Sequence, residues 1–255
     1  MNNSKKTQLA EELKNFLLKI DESKNKESLR KQACRLIDSI TPEDFETAER
    51  KLQKTGIPLR KIQELSVSFI LLGLLEREKF DLRNHLPDYH VLRKVMAEHD
   101  LVRCFLANLE EVGLGIQQCT QLKATSAEFM RLSHIVEHLN SLEEHIGRED
   151  DVLFPVLKEL GWARLFEHIQ SEHTYILMAV NDLVKLIMAF DHMPLDAFKT
   201  RLLSTIRYLC PLLREHLFHE DRVLFPIAIF NVKDTDTWDR LRHICNQIDY
   251  CGVHL

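Results

Sequence analysis

Apolar residues recur at helical spacing in four long stretches of the second half of the chain. They predict helices at about 88–112, 124–149, 163–191 and 195–220, because residues that repeat every three or four positions share one face of an α-helix. The connections between these stretches are short, so consecutive helices are expected to be antiparallel neighbours. The pattern therefore predicts an all-α protein with an up-down four-helix bundle.

Residues 1–84 predict a separate, small helical domain in front of the bundle. Two amphipathic stretches precede a third helix, for which Thr41 is the predicted N-cap. The polar, proline-containing segment Asn84–Asp88 is the predicted boundary with a second domain at 85–255, which holds the bundle and a C-terminal helix. The first domain has no spaced set of metal ligands, so its expected role is interaction or regulation.

Composition narrows the class of protein. With 45% hydrophobic residues in 255, the chain can bury a real core, and only seven glycines and seven prolines agree with helices. A net charge of -5 predicts no nucleic-acid or membrane partner. The N-terminus lacks the features of a signal peptide, and the six cysteines form no C-x-x-C pair, so a cytoplasmic location is expected and a structural zinc site is not.

One segment of the chain occurs nearly twice. Glu144–Pro155 recurs 71 residues later as Glu215–Pro226, and both copies contain His-x-x-x-Glu followed by Val-Leu-Phe-Pro. Residues four apart on a helix are separated by about 40° around the axis and about 6 Å along it, so the imidazole and the carboxylate can reach one ion. Two copies predict two ions.

A lone Glu-His dipeptide precedes each copy. His99 lies 46 residues before His145, and His173 lies 43 residues before His216. This spacing corresponds to one helix, a turn and part of the next helix, so the chain is predicted to contain two copies of a helical hairpin. Each hairpin offers two histidines and one glutamate.

The donors of both hairpins lie on the inward faces of the predicted helices. Burying four imidazoles and two carboxylates without a partner costs on the order of several kcal/mol per charge, whereas metal coordination satisfies all of them. A third His-x-x-x-Glu, His168–Glu172, lacks the Val-Leu-Phe-Pro sequence and is interpreted as accidental. The predicted metal ligands are His99, His145, Glu149, His173, His216 and Glu220.

Other polar residues near the inward stripe receive different interpretations. His138 lies two turns before His145 on the same stripe, and it is a candidate to hydrogen-bond near the site, to line an access route or to be a satisfied core histidine. For the remaining neighbours a solvated face is expected, with orientation of the ligands as the less favoured alternative. They are Glu98, Glu144, Glu172, Glu215 and His219.

Ligand type limits the choice of metal. Imidazole and carboxylate without thiolate suit iron, manganese or zinc. If both glutamates bridge and each ion takes two histidines, an oxo or hydroxo bridge brings each ion to five ligands. One position per ion then stays open for O2, NO or peroxide. Iron is the preferred metal, with manganese or zinc as substitutes.

These residues resemble the hemerythrin-like, or HHE cation-binding, family over about residues 85–252. The resemblance implies a four-helix bundle with a non-heme diiron centre held by the six predicted ligands. Oxygen-carrying members have a His-x-x-x-His pair where Leu177 follows His173, and an Asp five residues after their last ligand His, where Glu220 follows at four. The chain is thus more similar to a symmetric subgroup with four His and two Glu.

The first domain resembles known sequences less closely. The stretch Ile40–Leu65 is similar to an uncharacterised helical domain that is often fused to hemerythrin-like domains in bacteria and archaea. Members that repair iron-sulfur clusters carry an adjacent Cys pair in their N-terminal region, and this segment has only Cys34.

The expected function is a diiron protein that binds or reacts with O2, NO or peroxide for sensing, scavenging or storage. One alternative is an enzyme that reduces NO or peroxide, or that supplies iron for cluster repair. Another is a bundle in which metal only stabilises the fold. The first domain is the expected contact for a protein partner, and the sequence identifies no catalytic residue.

Overall fold

The computed structural model describes residues 2–22, 26–37, 39–75 and 82–248. Within these ranges every regular element is helical, which confirms the predicted all-α class. None of the described helices is both long and apolar enough to cross a membrane.

Thirteen α-helices lie in the described residues, and π-helical turns separate some of them. The helices are α1 Asn2–Glu22, α2 Lys26–Ile37, α3 Pro42–Lys54, α4 Leu59–Leu75, α5 Leu82–His85, α6 Val91–Gln118, α7 Ala127–Asn140, α8 Leu142–Arg148, α9 Phe154–Leu157, α10 Ala163–Met188, α11 Leu195–His219, α12 Phe225–Asn231 and α13 Thr235–Cys245. The π-helical turns are named here after a residue in each: the Glu149 turn (Glu149–Leu153), the Trp162 turn (Lys158–Trp162) and the Glu220 turn (Glu220–Leu224).

The described residues form two compact units. One unit contains Met1–His85, Phe154–Ile169 and His219–Lys233, and the other contains Leu86–Leu153, Gln170–Phe218 and Asp234–Leu255, in each case as far as the residues are described. These units are interleaved along the chain. The predicted domains at 1–84 and 85–255 stay a prediction.

The second unit is built on a four-helix bundle. Its helices are α6, α7 continued by α8, α10 and α11, and apolar side chains of all of them form one core, among them Leu106, Leu139, Val180 and Leu209. The predicted bundle is thereby confirmed. The core removes these side chains from water, which is the main favourable contribution to folding.

The first bundle helix is displaced from its predicted range of 88–112. It begins at Val91, after His90, whose Nδ1 accepts a hydrogen bond from the backbone N–H of Leu92 at 3.2 Å. It continues through Gly113, where an added Cβ would collide with Ile206. A larger residue there would require the flexible end of the Ile206 side chain to move, and the helix extends to Gln118.

The second predicted helix, 124–149, is wrong as one continuous element. It is divided into α7 and α8 by a turn at Ser141. The Ser141 hydroxyl donates a hydrogen bond to the carbonyl of His138 at 2.7 Å. Serine side chains that bond to nearby backbone compete with helical hydrogen bonding, which gives the break a local cause.

In the other unit, α3 begins as predicted. The Thr41 hydroxyl accepts from the backbone N–H of Asp44 at 3.3 Å, and Asp44 accepts from the backbone N–H of Thr41 at 3.0 Å. This reciprocal pair is a capping box. Helix α1 packs against α3 and α4, and α2 packs against α4. The rings of Phe45 and Phe69 lie 5.5 Å apart within this packing.

The same unit includes two of the π-helical turns. Helix α3 contacts the Trp162 turn, where the rings of Phe45 and Trp162 lie 5.5 Å apart. Gly161 has a φ of +92°, and an added Cβ would lie 2.9 Å from Pro42, so only glycine fits there without strain. Helix α4 packs against the Glu220 turn.

Candidate metal centre

One carboxylate lies between two imidazoles from different helices. Glu149 is fully buried, with Oε1 3.6 Å from Nε2 of His145 on α8 and Oε2 3.5 Å from Nε2 of His173 on α10. The two oxygens of this carboxylate therefore face two different nitrogen donors. This arrangement allows one glutamate to contact two cations.

The four predicted histidines are arranged as two pairs. Nε2 of His99 lies 3.2 Å from Nε2 of His145, and both rings are buried. The rings of His173 and His216 are 4.7 Å apart at an interplanar angle of 81°. Each pair joins the two helices of one predicted hairpin.

Glu220 follows the last residue of α11 and is fully buried. It completes two overlapping groups of donors in which the ligand atoms lie within 4.8 Å of one another. One group is His99, His145, Glu149 and Glu220, and the other is Glu149, His173, His216 and Glu220. The structure thus brings together all six predicted ligands, and their nitrogen and carboxylate donors fit iron, manganese or zinc.

Carboxylates orient the imidazoles of His145, His173 and His216. Nδ1 of His145 lies 3.0 Å from Oε2 of Glu98, and Nδ1 of His173 lies 2.9 Å from Oδ1 of Asp150. Nδ1 of His216 lies 2.9 Å from Oε2 of Glu172. A carboxylate accepts the proton of Nδ1, so Nε2 carries the lone pair. Such partners fix the tautomer and the ring direction of metal-binding histidines.

Each of the two glutamates predicted as ligands is the first residue of a π-helical turn. These are the Glu149 turn and the Glu220 turn, and each is followed by Phe-Pro. π-Helical turns inside α-helices are rare and are frequent at functional sites. The sequence repeat is therefore also a repeat of local backbone structure.

The model of the hemerythrin HHE cation-binding domain matches residues 90–228, which is more than half of the chain. The chain belongs to the hemerythrin HHE cation-binding family. A family of unknown function (DUF438) matches residues 13–66, in front of the HHE domain. No protein of curated function matches the chain significantly.

Two glutamates of the HHE domain correct the sequence interpretation. Glu98 and Glu172, expected on a solvated face, have side chains only 1% and 14% exposed and hold His145 and His216. Glu144, the glutamate directly before His145, is exposed as expected, and so is Glu215. His219 was also expected on a solvated face and is buried.

Sequence reasoning missed Arg148 in the HHE domain. Its side chain is fully buried and forms an ion pair with Glu98, which is also buried. Burial by itself raises the pKa of Glu98, but the hydrogen bond from His145 and the charge of Arg148 outweigh it and hold that pKa below its ordinary value. The signal in the sequence was the position of Arg148 directly before the ligand Glu149.

His138 and His168 lie outside both donor groups. The His138 ring stacks on Phe105, with centroids 4.6 Å apart and an interplanar angle of 14°, and it is partly exposed. Its proposed part in ligand access stays a prediction. His168 is partly exposed as well, in keeping with its interpretation as an accidental match.

Proposed function

We propose that the chain is a non-heme diiron protein that binds or reacts with O2, NO or peroxide. The observation that carries this proposal is the position of Glu149, whose two oxygens face His145 and His173 at 3.6 and 3.5 Å. A carboxylate so placed suits two cations rather than one. In the proposal, His99 and His145 hold one ion, and the remaining pair of histidines holds the other.

The donor set favours iron. Four neutral imidazoles and two carboxylates supply less negative charge than a carboxylate-rich centre, so the ferrous state should be accessible. When bound, the two irons would supply one-electron chemistry and coordination positions for a small ligand. Carboxylates hold three of these imidazoles in one tautomer, and burial of all four limits the access of water.

Metal analysis tests the proposal directly. Protein reconstituted with Fe²⁺ without air should contain two irons per chain, and its absorption spectrum should change on exposure to O2 or NO. His145→Ala and Glu149→Ala should lower the iron content, whereas His168→Ala, outside both donor groups, should not. One ion per chain, or two ions with no response to O2, NO or peroxide, would refute it.

One observation supports sensing in particular. Helix α4 packs against the Glu220 turn. The first residue of this turn, Glu220, is one of the proposed ligands. A change in coordination at Glu220 would therefore act on a backbone segment that the N-terminal helices cover. Scavenging or storage needs no such contact.

Hydrogen exchange separates sensing from the alternatives. For a sensor, amide exchange in α4 should differ between the ferrous protein and the same protein with O2 or NO, with metal-free protein exposed to the same gas as the control. Multiple turnovers of NO or peroxide with a reductant, and unchanged exchange in α4, would favour the enzyme. Unfolding on metal removal without any redox response would favour a structural role.

A further inference from the structure

One difference between the two copies of the repeat places a buried charge beside one half of the candidate centre. Aligning Glu144–Pro155 with Glu215–Pro226 places Arg148 opposite His219. The Arg148 side chain is fully buried, with 0% of it exposed to solvent. It forms an ion pair with Glu98, whose side chain is 1% exposed. The position of this buried guanidinium is therefore occupied by an imidazole in the other copy.

A continuous series of contacts connects this guanidinium to a proposed ligand. Arg148 Nη2 donates to Glu98 Oε1, and the other oxygen of Glu98 accepts from Nδ1 of His145 at 3.0 Å. Nε2 of that imidazole lies 3.2 Å from Nε2 of His99. Glu98 is thus held at both oxygens, and it can rotate only if one of these contacts breaks.

We propose that Arg148 is a positioning residue that fixes Glu98 and, through it, the orientation of His145. It thereby sets the metal affinity of the cation position formed by His99 and His145. This inference rests on the proposed two-ion centre. It adds that substitution of one buried arginine should change the affinity for one ion more than the affinity for the other.

Arginine suits this role better than other cations. Its planar guanidinium keeps its charge at any ordinary pH and offers several fixed donors, whereas lysine offers one compact ammonium on a flexible chain. Removal of Arg148 would leave Glu98 with space on one side. The His145 ring would then lose its defined direction, and losses of such partners typically lower metal affinity about 10–100-fold.

The test is a titration of metal-free protein with Co²⁺ as an absorbing probe. The wild type should bind two Co²⁺ per chain. Arg148→Met should weaken one of the two binding events by about 10–100-fold and leave the other within about threefold. Arg148→Lys, which keeps a cation, should recover part of the loss.

A second measurement needs no metal. In ¹⁵N-labelled metal-free protein, the Nδ1–H proton of His145 should give a downfield signal because it is held by Glu98. The signal should shift or broaden in Arg148→Met, while the corresponding signal of His216, held by Glu172, should stay. Generalised structural damage would affect both signals.

Arg214 provides the matched control. It forms two bonds to Glu110, at 2.7 and 2.6 Å, on the exposed surface of the same bundle. Arg214→Met should leave both Co²⁺ affinities and both proton signals unchanged. If Arg148→Met does not fold, Arg148→His, the residue of the other repeat copy, carries the same prediction.

The outcomes separate the two proposals. A wild type that binds fewer than two Co²⁺ refutes the two-ion centre, and the proton signals still test the role of Arg148. Two Co²⁺ in the wild type, with unchanged affinities and an unchanged His145 signal in Arg148→Met, refute the role of Arg148 alone.

Discussion

Glu149→Gln should stabilise the metal-free protein and remove most of the stabilisation that metal provides. Glu149 and Glu220 are both fully buried, and their ligand oxygens lie within 4.8 Å of each other. Without a cation, two carboxylates at this separation repel each other. Glutamine keeps the size of the side chain and removes one of the two charges.

The separation gives the size of the effect. At an effective dielectric constant of about 20, two unit charges 4.8 Å apart repel by about 3.5 kcal/mol. The two oxygens lie no farther apart than this, and neighbouring imidazoles offset part of the repulsion. For a chain of this size, 1 kcal/mol corresponds to roughly 2–4 °C in Tm, so a rise of about 5 °C is expected for the metal-free variant.

The assay is thermal unfolding at pH 8.5, where unperturbed imidazoles are neutral. Metal at about 100 times its Kd should stabilise the wild type by about 2.7 kcal/mol for each bound ion, and Glu149→Gln should lose most of this increment. Glu144→Gln removes an exposed charge on α8, the helix before the Glu149 turn, and is the control. It should change the Tm of neither the metal-free nor the metal-bound protein by more than about 1 °C. A metal-free Glu149→Gln that melts below the wild type would refute the reasoning.

Further predictions concern the thiols, pH and the N-terminal helices. Burial raises the pKa of the Cys210 and Cys245 thiols to about 11, so both should resist iodoacetamide at pH 8 while exposed Cys104 is alkylated, as peptide mass spectrometry would show. Bound metal should be released below about pH 6, because coordinating imidazoles must be neutral, and equilibrium dialysis against pH should show it. Phe45→Ala should destabilise the protein by about 3–5 kcal/mol in urea unfolding and shift Trp162 emission to longer wavelength, because it removes a buried ring in contact with that indole.

The six proposed ligands were accessible to sequence reasoning because their signals are local. His-x-x-x-Glu places two donors on one helix face, and its recurrence with the same following residues reduces the chance of an accidental match. The apolar stripe then fixes the direction of that face toward the core. Helix periodicity and a repeat were sufficient to predict the bundle and to group the donors.

The partners of the ligands were not accessible in the same way. Glu98 and Glu144 each precede a ligand histidine, so each lies about 100° from it around the helix, at the margin of the inward face. Glu98 is buried and Glu144 is exposed. A small rotation of the helix about its axis, set by packing against its neighbours, decides whether a residue at the margin of the inward face is buried or exposed. The spacing of apolar residues in the sequence does not determine that rotation.

The π-helical turns were beyond the pattern for a related reason. A sequence pattern predicts where a helix is apolar, whereas a π-helical turn depends on one extra residue in the backbone hydrogen bonding. The break at Ser141 is more local, since serine in a helix is a recognisable competitor for backbone hydrogen bonds. It was missed because the apolar stripe continues across it.

Two adjacent residues connect metal binding to the packing of the bundle. In Glu98-His99 and Glu172-His173, the histidine is a proposed ligand, and the glutamate holds the ligand histidine of another helix. In the proposed centre, one dipeptide would therefore attach two helices to the same cation, one directly and one through a hydrogen bond. Any substitution that weakens such a glutamate must change both the orientation of a ligand and the contact between two helices. If the proposed ligands are correct, metal affinity and bundle stability are coupled, and a variant that alters one without the other has to lie outside these dipeptides.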